Sequence, residues 1–143
     1  METKEIKIKV PKGYIIDEEN STFECIKFKK KSVTIMDIMD KFKEKCNYPI
    51  KVLATSNTHM HKILDINSLI LVAKYLNEGW VPNFNNSKEP KYFMATTSGN
   101  TVCIESVYGF NASVVYFKTY ELAQRAIEIL GEDTIRLALS PNY

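Results

Sequence analysis

The sequence has no long hydrophobic segment. Its longest uninterrupted apolar run covers residues 69–73, whereas a helix that crosses a bilayer needs about 20 apolar residues. The first ten residues alternate charged and aliphatic side chains, so they lack the apolar stretch of a secretory signal peptide. We therefore expect a cytoplasmic protein with no membrane partner.

Patterns that bind metals or form disulfides are also missing. The three cysteines, Cys25, Cys46 and Cys103, lie far apart without CxxC spacing, and their odd number argues against a disulfide framework. The two histidines, His59 and His61, are close in sequence, but at the start of a helix their rings project in different directions. The sequence predicts no metal, no other cofactor and a reducing compartment.

Signatures of catalysis are absent as well. The five glycines are scattered, and none belongs to a GxGxxG or GxxxxGK[ST] phosphate loop. Neither GxSxG nor HExxH occurs. Cys25 and Cys103 fall in strand-like patterns, where a cysteine is usually a small buried hydrophobe. The sequence therefore gives no indication of an enzyme.

The sequence has no clear excess of either charge, because it contains 19 basic and 17 acidic side chains and its formal net charge is +2. Non-specific binding of nucleic acid needs a clear basic excess or a basic face. The densest positive charge is a lysine cluster around Phe28, formed by Lys27, Lys29, Lys30 and Lys31. Such a pattern occurs in proteins that bind single strands, but lysines also protect exposed strand edges from aggregation. A nucleic-acid-binding module is therefore the alternative, and nucleic acid is not the expected partner.

The composition is that of an ordinary globular protein. Hydrophobic residues make up 45% of the 143 residues and charged residues 25%, which is typical of a chain that buries a core. The length allows one such core and leaves no room for two. We expect a single domain over residues 1–143.

Hydrophobic periodicity predicts an α+β fold. The order of elements is an N-terminal β-hairpin, two helices, a three-stranded antiparallel meander and two C-terminal helices. The first helix begins at Ser32 or Thr34 and ends near residue 45. The other predicted ranges are 5–10 and 22–29 for the hairpin, 58–78 for the second helix, 91–97, 101–107 and 113–118 for the meander, and 119–130 and 132–140 for the last helices.

The helix predicted over 58–78 has an unusually wide apolar face. Ile63, Ile66 and Ile70 form one stripe along it, which Leu69 and Val72 widen. One small sheet is too narrow to cover such a face, and an exposed excess of apolar surface favours association. The sequence thus predicts a homo-oligomer.

The connection between this helix and the next strand, residues 79–93, combines the only tryptophan with other aromatic rings, amides and lysines. Aromatic faces stack on bases, and lysine or asparagine binds phosphate and sugar oxygens. The candidate ligand-binding residues are Trp80, Asn83, Phe84, Lys88, Lys91 and Tyr92. In this interpretation Trp80, Phe84 or Tyr92 stacks on the base and Lys88 or Lys91 holds a phosphate. The alternative is a hydrophobic lid, in which Trp80 closes the core over the end of the helix.

Three stretches of the chain have a distinctive sequence: the opening 8–29, the stretch 73–84 with its Gly79-Trp80-Val81-Pro82 centre, and the corner 115–123. Together they resemble a group of small accessory proteins of phages and prophages from gut bacteria. The group's signature reads Tyr-Asn-x-Gly-Trp-x-Pro-Asp-Trp. Here Leu76 intervenes after the tyrosine, Asn83 stands for the aspartate, and Phe84 stands for the second tryptophan. The resemblance covers most of the chain outside 44–60 and implies an accessory role inside an infected bacterium, with no catalytic residues.

Together these observations predict a non-catalytic phage protein that counters a host defence. It would do so by sequestering a nucleotide-derived signal or by binding a defence protein. A structural or assembly protein and a nucleic-acid-binding module are the alternatives.

Overall fold

The computed structural model of the protein describes residues 7–43, 54–98 and 100–141. Its elements confirm the predicted α+β class. They are β1 (Tyr14–Ile16), β2 (Phe28–Lys30), α1 (Ile35–Lys43), α2 (Asn57–Leu76), β3 (Lys91–Thr96), β4 (Val102–Val107), α3 (Tyr120–Leu130) and α4 (Glu132–Leu139). The chain divides into two compact units, Met1–Val33 and Thr34–Tyr143, which we describe separately. Nothing in the division tests the expected single domain, which stays a prediction.

The first unit is a hairpin of β1 and β2, paired antiparallel with Ile15 opposite Lys29. A turn at 11–13 precedes it, in which the Tyr14 amide donates to the Pro11 carbonyl over 3.1 Å. Gly13 has a φ of 83° in this turn, a conformation that glycine adopts without steric cost.

The predicted strand positions in this unit were wrong. Residues 7–10 form no strand, and 5–6 lie outside the described residues. Of the range 22–29 only the end is a strand, because the backbone groups of Thr22 and Cys25 bond each other in a turn. The Ser21 hydroxyl oxygen accepts the Lys27 amide over 2.9 Å. These local bonds take the backbone groups that a longer strand would need.

Asp17 stabilises the connection between the two strands. Its carboxylate accepts a bond of 2.8 Å from the Asn20 side-chain amide and lies 3.4 Å from the Lys29 ammonium. The Asn20 bond is the main cause that lowers the pKa of this carboxyl below its usual 3.8; partial desolvation opposes it, and the Lys29 charge adds to the lowering.

Acid should therefore weaken the hairpin connection. A carboxyl whose pKa is lower in the folded state stabilises that state above its unfolded pKa, and the stabilisation disappears as the pH falls through the folded pKa, here below 3.8. We expect the Asn20 side-chain amide resonance to shift in that range and to stay constant in Asp17→Asn. An Asn20 resonance that does not move between about pH 6 and pH 2 would contradict this.

The second unit is built around α2, which contacts α1, α3 and α4, while α3 and α4 also contact the β3–β4 hairpin. The hairpin is antiparallel, with Lys91 opposite Val107 and Thr96 opposite Val102. The largest apolar side chains that are fully buried are Phe117, Ile38, Leu69, Ile135 and Val72. The core thus lies between the central helix, the hairpin and the C-terminal helices.

The helices lie close to their predicted ranges because their end signals act locally. Ser56 caps α2 by accepting the His59 amide, and Thr119 caps α3 by accepting the Leu122 amide. Thr34 and Asp37 bond each other's amides at the start of α1, the reciprocal arrangement of a capping box. The predicted end of α1 at 44–45 lies outside the described residues.

The predicted three-stranded meander is not observed, and the described residues contain two two-stranded sheets. The segment 113–118 forms a single bridge, between Phe117 and Tyr92, so it lies beside β3 and not beside β4. Side chains form hydrogen bonds with several other backbone groups of this segment. The Ser113 hydroxyl donates to the Val115 carbonyl, and the Asn77 side chain bonds the Tyr116 carbonyl and the Lys118 amide, on either side of Phe117. A strand cannot extend here, because side chains occupy the backbone groups that would otherwise bond a neighbouring strand.

The apolar face of α2 is only partly covered. Leu69 and Val72 are fully buried, whereas Leu64 and Ile70 remain exposed. Self-association through this helix stays a prediction. None of the helices within the described ranges is both long enough and apolar enough to cross a membrane.

Candidate functional site

The candidate site begins where α2 ends. Asn77 is the C-cap, and its amide donates to the Ala73 carbonyl. The next two residues, Glu78 and Gly79, have positive φ values of 49° and 91°, so the chain reverses direction. The Trp80 amide closes this reversal by donating to the Asn77 carbonyl over 2.8 Å.

The Asn77 side chain joins the end of α2 to the segment that leads into α3. Its Nδ2 donates to the Tyr116 carbonyl over 2.8 Å, and its Oδ1 accepts the Lys118 amide over 3.1 Å. The residue between them, Phe117, exchanges two backbone bonds of 2.7 and 3.0 Å with Tyr92 of β3. One amide side chain therefore fixes the distance between two segments that are about 40 residues apart in sequence.

A recess of about 640 Å³ lies at this junction, and we call it the Trp80 recess. Its lining residues are Leu76, Asn77, Glu78, Gly79, Trp80, Lys118 and Leu122. Two of them carry charge, the acidic Glu78 and the basic Lys118, and both are exposed. The recess thus combines apolar surface with one charge of each sign.

The Trp80 indole is half-buried in this recess. Its Nε1 donates to the Glu89 carboxylate over 3.2 Å, which fixes the orientation of the ring. Trp80 is half-buried, so it can close the core over the end of α2 and also line the recess, and the lid and the site are not exclusive. The indole remains available to a ligand.

Lys91 is buried, with no exposed surface. Its ammonium donates to three carbonyl oxygens, those of Asn86 and Glu89 at 2.8 Å and that of Tyr108 at 3.2 Å. An ammonium group has three protons, so these carbonyls account for all of them. Lys91 holds the loop 86–89 against the end of β4.

The other aromatic candidates pack against rings instead of lining the Trp80 recess. Phe84 makes edge-to-face contacts with Phe110 and Tyr116, at centroid distances of 5.4 and 5.2 Å. Tyr92 contacts Tyr120 at 6.3 Å in the same way. Such pairs stabilise the packing of a loop on its neighbours.

The polar candidates Asn83 and Lys88 lie in tight turns. The Asn83 side-chain oxygen accepts the Asn85 amide over 3.0 Å, and Asn86 accepts the Lys88 amide in the same way over 3.1 Å. These bonds are Asx-turns, which stabilise loops locally. The Lys88 side chain is exposed.

Of the six candidate residues, Trp80 is therefore the one that lines the recess. Sequence reasoning did not propose the lining residues Leu76, Asn77, Glu78, Lys118 and Leu122 as candidates. The expected helix stop at Gly79 indicated the chain reversal next to Asn77 and Glu78. No sequence signal pointed to Lys118, which is distant along the chain.

The lysine cluster of the nucleic-acid alternative lies on and beside β2. All four side chains are exposed, and Lys29 pairs with Asp17. Neighbouring residues of a strand point to opposite faces, so Lys29 and Lys30 do not share a face.

The remaining candidates show no site chemistry. Across 7–43, 54–98 and 100–141, no group of three histidine, cysteine, aspartate or glutamate side chains is placed to hold a metal ion. Cys25 is exposed, contrary to the expectation of a buried strand residue. Burial, followed by the charge of Glu105, raises the pKa of the Cys103 thiol, which disfavours the reactive thiolate.

No protein-family model matches the chain, and no curated protein or solved structure matches it either. The functional conclusion therefore depends on the residues of the Trp80 recess.

Proposed function

We propose that the protein is a non-catalytic binding protein whose Trp80 recess holds a nucleotide-type small molecule. The observation that carries this proposal is the accessible indole beside a recess of about 640 Å³. Small-molecule sites typically occupy about 300–1,000 Å³ and combine apolar surface with a few polar groups. The recess has this size and this mixture.

Each part of a nucleotide has a matching group in the recess. The Trp80 ring offers a surface on which a base stacks, a contact that is worth about 1–3 kcal/mol. The Lys118 ammonium attracts a phosphate, and α3 begins two residues later at Tyr120, so the positive end of its dipole adds to the attraction. The Glu78 carboxylate accepts hydrogen bonds from ribose hydroxyl or base amino groups.

The other candidate residues of the 79–93 connection stabilise the loop that carries Trp80. Lys91 holds the loop through carbonyl oxygens, and the rings of Phe84 and Tyr92 pack against neighbouring rings. In this proposal they keep Trp80 in position and do not touch the ligand. Lys118 takes the phosphate-binding role that the sequence had suggested for Lys88 or Lys91.

The biological role that we propose follows from the resemblance to phage accessory proteins. A small binder without catalysis can reduce the free concentration of a nucleotide-derived defence signal by holding it. Such a protein would act in the cytoplasm of the infected bacterium, and it would have to be made in amounts comparable to the signal. The recess supports this role because it offers a base-stacking surface and a phosphate partner together.

The fluorescence of Trp80 tests the proposal, because the chain has a single tryptophan and its emission reports on this recess alone. We expect emission to change on titration with at least one member of a panel of nucleoside monophosphates, cyclic dinucleotides and ADP-ribose. Trp80→Ala should weaken binding of that compound about 5- to 150-fold, as measured by calorimetry. Absence of both heat and fluorescence change with the whole panel would contradict the proposal.

Two lysine variants separate the recess from general positive charge. Lys118→Gln should weaken binding of the phosphorylated compound and leave that of its nucleoside unchanged. Lys88→Gln is the matched control, since Lys88 is also exposed but does not line the recess. Equal effects of the two substitutions would show non-specific attraction and would count against the site.

A further inference from the structure

The β3–β4 hairpin has one edge that its own chain uses and one that it does not. The two strands pair antiparallel along their full length. On the outer side of β3, the amide and the carbonyl of Tyr92 form hydrogen bonds of 3.0 and 2.7 Å with the backbone of Phe117. β4 therefore lies at the other edge of this sheet.

The direction of each backbone group in β4 follows from the register. In an antiparallel pair, residues that bond the partner strand alternate with residues whose N–H and C=O groups point away from it. The Thr97 amide donates to the Thr101 carbonyl over 3.0 Å, so Thr101 and every second residue after it point toward β3. The residues between them point away from β3, and these are Val102, Ile104 and Ser106. The bonds of Tyr92 to Phe117 agree, because Tyr92 is opposite Ser106 and also points out of the pair.

The backbone groups of these three outward residues form no hydrogen bond within the part of the chain that the structure describes. None of the residues of β4 is buried, whereas Lys91, Phe93 and Met94 of β3 are. Proteins usually protect a sheet edge with a proline, a lysine, a bulge or a covering segment. The range Val102–Val107 contains no proline, no lysine and no bulge. This edge therefore keeps its capacity to bond another extended chain.

We propose that β4 binds an extended peptide segment of another protein, which pairs antiparallel with it and adds a third strand to the sheet. An extended peptide presents amides and carbonyls at the spacing of the outward groups of β4. A nucleic acid, a membrane surface or a small molecule lacks this regular alternation of donors and acceptors. No residue of β4 lines the Trp80 recess, so the failure of one proposal does not affect the other.

The side chains of β4 indicate which peptide fits. Val102 and Ile104 lie on one face of the strand, whereas Glu105 lies on the other face, is exposed, and is the single charged residue of β4. A matching strand has apolar side chains opposite Val102 and Ile104 and a lysine or arginine opposite Glu105, because opposite charges across strands stabilise the pair.

A second copy of β4 fits this condition less well. The register that pairs the most outward groups places Ile104 of each copy at the two-fold axis. Glu105 then lies opposite Cys103, and the Glu105 residues of the two copies become diagonal neighbours about 7–8 Å apart. Two like charges therefore meet at the centre of such a pair, whereas a basic peptide brings an opposite charge to the same place.

Hydrogen exchange followed by NMR tests whether the edge is open. In the protein alone, the amides of residues 102, 104 and 106 should exchange with deuterated water about tenfold faster than those of 103, 105 and 107, which bond β3. Equally slow exchange of both sets in dilute protein would overturn the proposal. Protection of the outward amides that appears only as the protein concentration rises would show pairing with a second copy and would also overturn it.

A synthetic peptide tests the partner. In the acetylated peptide Val-Lys-Val-Thr-Val, antiparallel pairing places the lysine opposite Glu105 and the valines opposite the three outward residues. We expect NMR titration to shift the outward amides of β4, and Val-Glu-Val-Thr-Val to bind about fivefold more weakly. The variant Glu105→Lys should reverse this preference, whereas Glu132→Lys, which changes an exposed carboxylate on α4, should keep it. An unchanged preference in Glu105→Lys would overturn the proposal, as would the absence of shifts with either peptide at millimolar concentration.

Methylation of the peptide amides separates strand pairing from attraction of charge. In the antiparallel pair the valine amides face β4, and the lysine and threonine amides face away from it. Methyl groups on the valine amides should weaken binding about tenfold, because they remove the donors that β4 bonds. Methyl groups on the lysine and threonine amides should leave the affinity unchanged. Equal affinities of the two methylated peptides would show adhesion without strand pairing and would overturn the proposal.

Discussion

Replacement of Lys91 by methionine should lower the free energy of unfolding by about 3 kcal/mol, one of the two largest effects that we expect from a single substitution, because three carbonyl oxygens lose their donor. Methionine retains most of the length of the lysine side chain but cannot donate a hydrogen bond. The carbonyls of Asn86, Glu89 and Tyr108 would then lose their shared donor. A buried polar group without a partner costs about 1–3 kcal/mol.

Urea denaturation provides the measurement. The midpoint should fall while the dependence of the unfolding free energy on urea stays the same, because the exposed area on unfolding is unchanged. Lys88→Met is the control, since this lysine lies three residues away and is exposed. A loss of less than about 1 kcal/mol for Lys91→Met would mean that water replaces the ammonium group at the three carbonyls.

The substitution Phe117→Ala should destabilise the protein by about 3–5 kcal/mol, because it removes a large ring from the core and leaves a cavity. Phe117 is fully buried, and its backbone forms the bridge to Tyr92. The residue also lies between the two backbone groups that Asn77 binds. Collapse around the cavity should therefore disturb the floor of the Trp80 recess.

Phe110→Ala is a suitable comparison, because the Phe110 ring is 74% exposed and its main aromatic contact is Phe84. We expect a loss of no more than about 1 kcal/mol there. Calorimetric unfolding of both variants gives the difference, and Trp80 emission shows whether the recess changes with Phe117 alone. Similar losses at the two positions would contradict the assignment of Phe117 to the core.

The helices could be predicted from the sequence because their determinants are local. Thr119 with Gly131, and the long apolar periodicity of α2, act over one or a few turns. The helix ends that lie within the described residues agree with the expected ranges to within one or two residues, and the expected end of α1 lies outside them. The same locality explains the correct prediction of the β3–β4 hairpin, whose strands are close in sequence.

The short strands could not be predicted in the same way. The alternation of apolar and charged residues at 5–10 satisfies the strand pattern, but a strand also needs a partner strand. In this chain the partner of Lys29 in β2 is Ile15 of β1. The segment 113–118 shows the same problem, since the side chain of Asn77 competes for its backbone. Pairing over long separations depends on tertiary contacts that periodicity does not contain.

Of the six candidate residues predicted from the sequence, Trp80 is the one that lines the recess. Composition can show that a segment is rich in rings and lysines, but not which of them face a cavity. Lys91 is the clearest example, because a lysine is usually exposed, and here loops from two parts of the chain bury it. Lys118 was missed for the opposite reason, since only the fold brings it to Trp80.

The backbone of Glu78 has a consequence for the charge beside Trp80. At a φ of 49° a residue with a Cβ atom is less stable than glycine by about 1 kcal/mol. Folding alone would therefore favour glycine at both positions of the reversal, yet only the second, Gly79, has it. The backbone conformation therefore does not favour glutamate at position 78, and the exposed Glu78 side chain adds a negative charge to the lining of the Trp80 recess.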